Sequence, residues 1–174
     1  MTARDLPFLE SDRIIFKLYA CEEHLKNLKN IKSKYGDLLA KGARIPAEME
    51  VDSLLSQMIG IFDSLLLRIN DRFQLGISID KIEIEKVLSV LSSETKGTEL
   101  AHDLDQVNRR GNLYWMIKHL RNYTMQHSLL SADASLFTSE TRMVFVEVIP
   151  YFEQTLVRLR SFIDNLKEKE PILQ

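Results

Sequence analysis

"FVEVIPYFEQTLVRLRSFIDNL", residues 145–166, places apolar side chains at Phe145, Ile149, Phe152, Leu156, Leu159, Ile163 and Leu166. The steps alternate between four and three residues, which is the a/d seam of helices packed side by side. A half-buried strand would instead repeat every second residue. Pro150 falls inside the seam and lacks the N–H that an interior helical residue donates, so either the helix kinks there or its regular part begins there.

The same periodicity runs upstream. A first helix carries Ile14, Leu18, Cys21, Leu25 and Leu28 on one stripe, with Tyr35 near its end, and frays at "KGARIP", where Gly42 and Pro46 break the pattern. A second, from about Glu48, buries a broad face from Val51 through Leu54, Leu55, Met58, Phe62, Leu65, Leu66 and Ile69 to Phe73, and ends near Gly76. "SIDKIEIEKVLSVL" reads two ways. Ile82 and Ile84 alternate like a strand, whereas Ile84, Val87, Leu88 and Leu91 fit a helix, and Asp80 followed by Glu83 has capping-box spacing. The helix is the preferred reading. After the turn "SSETKGTE", a fourth helix is expected from about Thr98 to Ser128, then the connection "SADASLFTSE" with Ser139 as a cap for the last helix. The expected fold is all-α: an up-and-down bundle of four long helices and one short one in a single domain spanning 1–174, with a loose tail from about 168.

Composition narrows the function. At 174 residues the chain can bury a core without disulfides. With 45% hydrophobic and 28% charged residues and a net charge of −2, nothing pulls the whole molecule towards nucleic acid or membrane. Polyanion binding would need a local patch. The single cysteine, Cys21, lies on a core stripe and fits a reducing compartment. Acids at Asp5 and Glu10 interrupt the N-terminal stretch where a signal peptide is apolar, and no run reaches the length of a membrane span, so a cytoplasmic protein is expected. The motifs CxxC, HExxH and GxSxG and a Gly-rich phosphate loop are missing. Glu99 and His102 have the i, i+3 spacing of one half of a dimetal bundle site, but the other half is lacking, so neither a metal nor a cofactor is expected. Tyr114, Trp115 and Met116 read as core.

One local patch does stand out. Between Asp105 and Asp133 no acidic residue occurs, yet Arg109, Arg110, Lys118 and Arg121 do, interleaved with Tyr114, Trp115 and Tyr123. Such a surface suits a phosphate backbone and stacked bases. Within it, "LRNYTMQHS", residues 120–128, holds Arg121, Asn122 and His127. The alternative is that His127 is a core histidine in line with Met116, Leu120 and Tyr123, beside ordinary surface residues.

"RNYTMQH" resembles the R-x(4 to 6)-H motif of the HEPN (higher eukaryotes and prokaryotes nucleotide-binding) superfamily, including the polar residue directly after the arginine. The resemblance covers this motif, its helical context and one long helix after it. It implies a helical bundle that dimerises and, in many members, a metal-independent endoribonuclease acting as a toxin or phage-defence effector, or paired with a nucleotidyltransferase or other antitoxin. Arg121 and His127 would then be the catalytic pair and Asn122 their support, with His119 and Tyr123 as secondary site candidates and Arg109, Arg110 and Lys118 attracting RNA. Leu129 stands where one subclass has a modified tyrosine, which speaks against regulation of that type. Along one uninterrupted helix Arg121 and His127 would lie about 9 Å apart axially and about 120° apart around it, so a tight site calls for a two-fold axis that brings two copies together. The competing reading is a non-catalytic helical adaptor that binds a protein or nucleotide through the Phe145 to Leu166 seam or the basic surface.

Overall fold

Asp12 starts the first helix by accepting hydrogen bonds from the Ile14 and Ile15 amides, at 2.9 and 3.3 Å. The computed structural model describes residues 12–93, 98–127, 129, 148–170 and 173. Helix α1, Arg13–Tyr35, buries Ile14, Cys21, Leu25 and Leu28. It stops at Gly36, whose φ of 79° is open to glycine, and whose N–H returns to the Lys32 carbonyl.

Helix α2, Arg44–Arg72, begins earlier than Pro46 would suggest. Pro46 is its third residue, where an N–H has no intrahelical partner to lose, so the proline starts the helix instead of delaying it. The chain turns off α2 through Gln74 and Gly76, both at positive φ. The Asn70 amide pins this turn by exchanging two 3.0 Å bonds with the Ile77 backbone. Helices α1 and α2 form an antiparallel hairpin whose register shows in cross-helix partners: Arg68 with Asp12, Cys21 against the Leu54 carbonyl, His24 with Glu50.

A 3-10 turn, Ile79–Lys81, precedes helix α3, Ile84–Leu91. The helical reading of this stretch holds, but the capping box does not form. Asp80 lies inside the 3-10 turn and accepts from the Ser78 hydroxyl, while Glu83 takes the N-cap position without a side-chain bond.

The expected long fourth helix is two helices, α4, Thr98–Asn108, and α5, Leu113–Thr124. Gly111, at φ 84°, breaks it, and the Asn112 amide donates back to the Gln106 carbonyl before α5 starts. Helix α5 also stops at Thr124, short of Ser128.

Helix α6, Val148–Lys169, buries the seam expected from the sequence: Ile149, Phe152, Leu156, Leu159, Ile163 and Leu166. Pro150 is its third described residue and is helical in place. Thr155 shares the buried face because its hydroxyl donates to the Tyr151 carbonyl at 2.8 Å. Phe145, Ser139 and the 131–140 connection lie outside the described residues.

One hydrophobic cluster draws on all six helices. Phe62 of α2 sits near its middle, edge-on to Tyr114 of α5 at 4.8 Å and tilted against Phe162 of α6 at 5.9 Å. Charged pairs tie the rim, with Lys29 to Glu153 at 2.6 Å and Arg160 to Glu22 joining α1 to α6, and Lys169 to Asp103 at 2.7 Å joining α6 to α4. Leu173 is buried and its carbonyl accepts from Arg68 at 3.1 Å. The fold among the described residues is thus an all-α bundle without strands, and none of its helices is long and apolar enough to cross a membrane.

Candidate nucleic-acid site on helix α5

Helix α5 is amphipathic. Leu113, Tyr114, Met116, Ile117 and Leu120 are buried, following the i, i+3, i+4, i+7 spacing of a core-facing stripe. The Phe62–Tyr114 contact docks this stripe on α2. Burial, followed by the charges of Asp63, Glu85 and Glu83, pushes the Tyr114 hydroxyl up to about 12, so it stays a neutral phenol with a structural role.

The other face carries the candidate residues. Lys118, His119 and Asn122 are exposed, and Trp115, Arg121 and Tyr123 are half-buried. His127 is exposed in the turn that follows the helix. The core-histidine reading therefore fails. The turn keeps His127 close to the helix, because its N–H bonds to the Tyr123 carbonyl at 3.0 Å. Its ring then stacks on that of Tyr123, with centroids 4.8 Å apart and planes 30° apart. One turn back, the Arg121 carbonyl accepts from the Thr124 hydroxyl at 2.9 Å, which satisfies one of the orphan carbonyls at the helix end.

Trp115 is where the structure departs from the core reading. Tyr114 and Met116 are buried as expected, but Trp115 points to the outer face. Its ring lies parallel to that of His119, with centroids 5.0 Å apart and planes 5° apart. The signal was present in the spacing. Trp115, His119 and Tyr123 recur every four residues, and Trp115 is rotated about 100° from either neighbour on the wheel.

The cations divide into kinds. Arg109 is held by Asp105 through two bonds to one carboxylate oxygen, at 2.7 and 3.0 Å, which offsets its charge locally. Arg110 is exposed beside it. The Lys118 ammonium lies 5.6 Å from the Tyr114 ring centroid, with the head group at the surface. Arg121 emerges from a half-buried position within the same helix.

Metal-site geometry is lacking. No group of three or more His, Cys, Asp or Glu residues gathers among the described residues. Glu99 is engaged by Lys169 at 3.3 Å, and His102 is exposed. Grooves lined by Leu38, Leu39 and Ile149, and by Leu25, Leu156 and Val157, indent the surface between α1 and α6 and involve neither Arg121 nor His127. Position 129 is a buried leucine. What this open face offers is the Arg121 guanidinium and four planar rings, two of them imidazoles. Set against protein-family models, curated proteins and solved structures, the chain matches none.

Proposed function

We propose that this protein is a HEPN-like, metal-independent endoribonuclease whose site is completed by a second copy of the chain. The observation that carries the reading is the exposed His127 ring, stacked on Tyr123, within a stretch of sequence that also holds the half-buried Arg121 and no acidic residue. The His127 imidazole takes a proton from a ribose 2′-hydroxyl, and the 2′-oxygen attacks the adjacent phosphorus. The bond from phosphorus to the 5′-oxygen breaks, leaving a 2′,3′-cyclic phosphate and a 5′-hydroxyl once the leaving oxygen is protonated. One imidazole cannot be base and acid in the same step, so the His127 of a second protomer supplies the proton. Guanidinium groups of Arg121 hold the phosphoryl oxygens as charge builds, in the bidentate manner that suits arginine. Asn122, next to Arg121 and exposed, supports the phosphate, and Lys118 and Arg110 attract the backbone. A toxin or phage-defence role, with an antitoxin or nucleotidyltransferase partner in the cytoplasm, is the setting this chemistry fits.

The adaptor reading is weaker on one count. Of its two candidate surfaces, the seam and the basic face, the seam is spent inside the protein, since Ile149, Phe152, Leu156, Leu159, Ile163 and Leu166 are buried. The test is cleavage of varied RNAs by purified protein in chelator, with end-group analysis of the products. Native protein yields cyclic phosphate ends, and Arg121→Ala and His127→Ala do not. Cleavage by His127→Ala at the native rate overturns the assignment.

A further inference from the structure

The two ring stacks on α5 are not equivalent. Tyr123 and His127 belong to the proposed cleavage site. Trp115 and His119 lie eight residues earlier, about 12 Å along the helix, too far for one nucleotide to engage both phosphate chemistry and this pair. They are nearly parallel, at 5°, as stacked planar groups are. His119 is exposed and Trp115 half-buried, so the outer edge of the stack is open to solvent. Lys118 adds a surface cation on the same helix, and the helix itself carries no acid, the nearby carboxylates being those of Asp63, Glu83 and Glu85 on neighbouring elements around Tyr114.

We infer that the Trp115–His119 stack is a nucleobase platform that holds an unpaired base of single-stranded RNA upstream of the cleavage site. This rests on the ribonuclease reading only for where the strand leads, because binding is measurable without cleavage. A base has a π-face whatever its identity, so the platform selects unpaired over paired RNA and not one base over another.

Trp115 is the single tryptophan, which makes its emission a direct reporter. The probe is a short 2′-O-methyl oligonucleotide, which has no 2′-hydroxyl to attack, titrated into the full-length protein as a single strand and as a duplex. The single strand quenches Trp115 emission saturably, and the duplex binds weakly without quenching. Loss of one base stack weakens single-strand affinity about 5- to 150-fold in His119→Ala, while His119→Phe, which keeps a planar ring, stays within about threefold of native. Trp115→Leu, followed by anisotropy of a labelled strand, loses affinity similarly, and Trp115→Phe retains it. Native affinity in His119→Ala, or equal quenching by duplex, overturns the platform. Quenching without any cleavage of unmodified RNA leaves the platform standing and removes the nuclease reading; cleavage with no Trp115 response does the reverse.

Discussion

Replacing Phe62 with alanine removes the side chain on which α2, α5 and α6 converge. Phe62 is fully buried and touches two aromatic rings, Tyr114 at 4.8 Å and Phe162 at 5.9 Å. Truncating a buried phenylalanine costs about 3–5 kcal/mol through lost transfer energy and the cavity left behind. Phe62→Leu keeps most of the apolar volume but gives up both ring pairs, each about 0.5–1.5 kcal/mol, so about 1–3 kcal/mol is expected. For a domain of this size each kcal/mol lowers Tm by about 2–4 °C, which puts the alanine variant about 6–20 °C below native. Urea unfolding followed by circular dichroism measures the difference, read as a shifted midpoint at constant slope. Trp115 emission, on the helix that Phe62 anchors, should report the same midpoint. A loss under about 1 kcal/mol for Phe62→Ala would refute the idea that α5 is held against α2 through this ring.

Three further variants probe separate features. Asp12 is half-buried, which raises its carboxyl, but the Arg68 hydrogen bond and charge and the Ile14 and Ile15 amides outweigh this and hold it below the ordinary value. Its contribution is therefore present above the unfolded carboxylate range and lost as pH falls through the lower folded value. Asp12→Ala should cost about 1–3 kcal/mol at neutral pH, and Asp12→Asn less, because asparagine still caps; urea midpoints at neutral and acid pH should converge with native in acid. Gly60→Ala should be neutral or stabilising by up to about 1 kcal/mol, since a helical glycine is replaced and the nearest obstacle, the Lys17 ammonium at 2.5 Å, is the free end of a flexible side chain. A measured loss above about 1 kcal/mol would show that Lys17 is locked over α2. Cys21 is buried, and burial pushes its thiol up to about 12, so alkylation at mildly alkaline pH should proceed only at the rate of unfolding; rapid labelling of native protein by mass spectrometry would contradict that placement.

Periodicity carried most of the architecture. The stripes of α1, α2 and α6 were readable because apolar residues at three- and four-residue steps leave a helix one way to bury them. The errors came from punctuation. "RRGN" falls inside the helix expected from periodicity, although glycine is a stop signal and Asn112 a start signal. Pro46 was read as a delay because proline breaks helix interiors, yet in the first turn it costs no hydrogen bond. The docked end at Leu173 was beyond sequence reasoning, since it depends on Arg68, 105 residues away. For the site, the structure adds that His127 is exposed and so is not a core histidine. Residue type alone puts Trp115 in the core, whereas its four-residue spacing to His119 puts it on the outer face.

The composite site makes one quantitative demand. Native and His127→Ala chains, carrying different tags, are refolded together in equal amounts so that they associate at random, and RNA cleavage in chelator is measured. If each site needs both histidines, activity falls to about a quarter of that of native protein alone at the same total chain concentration, and purified mixed dimers are inactive. If activity falls only to about half, or mixed dimers cleave at half the native rate, one protomer is sufficient and the two-copy site is wrong.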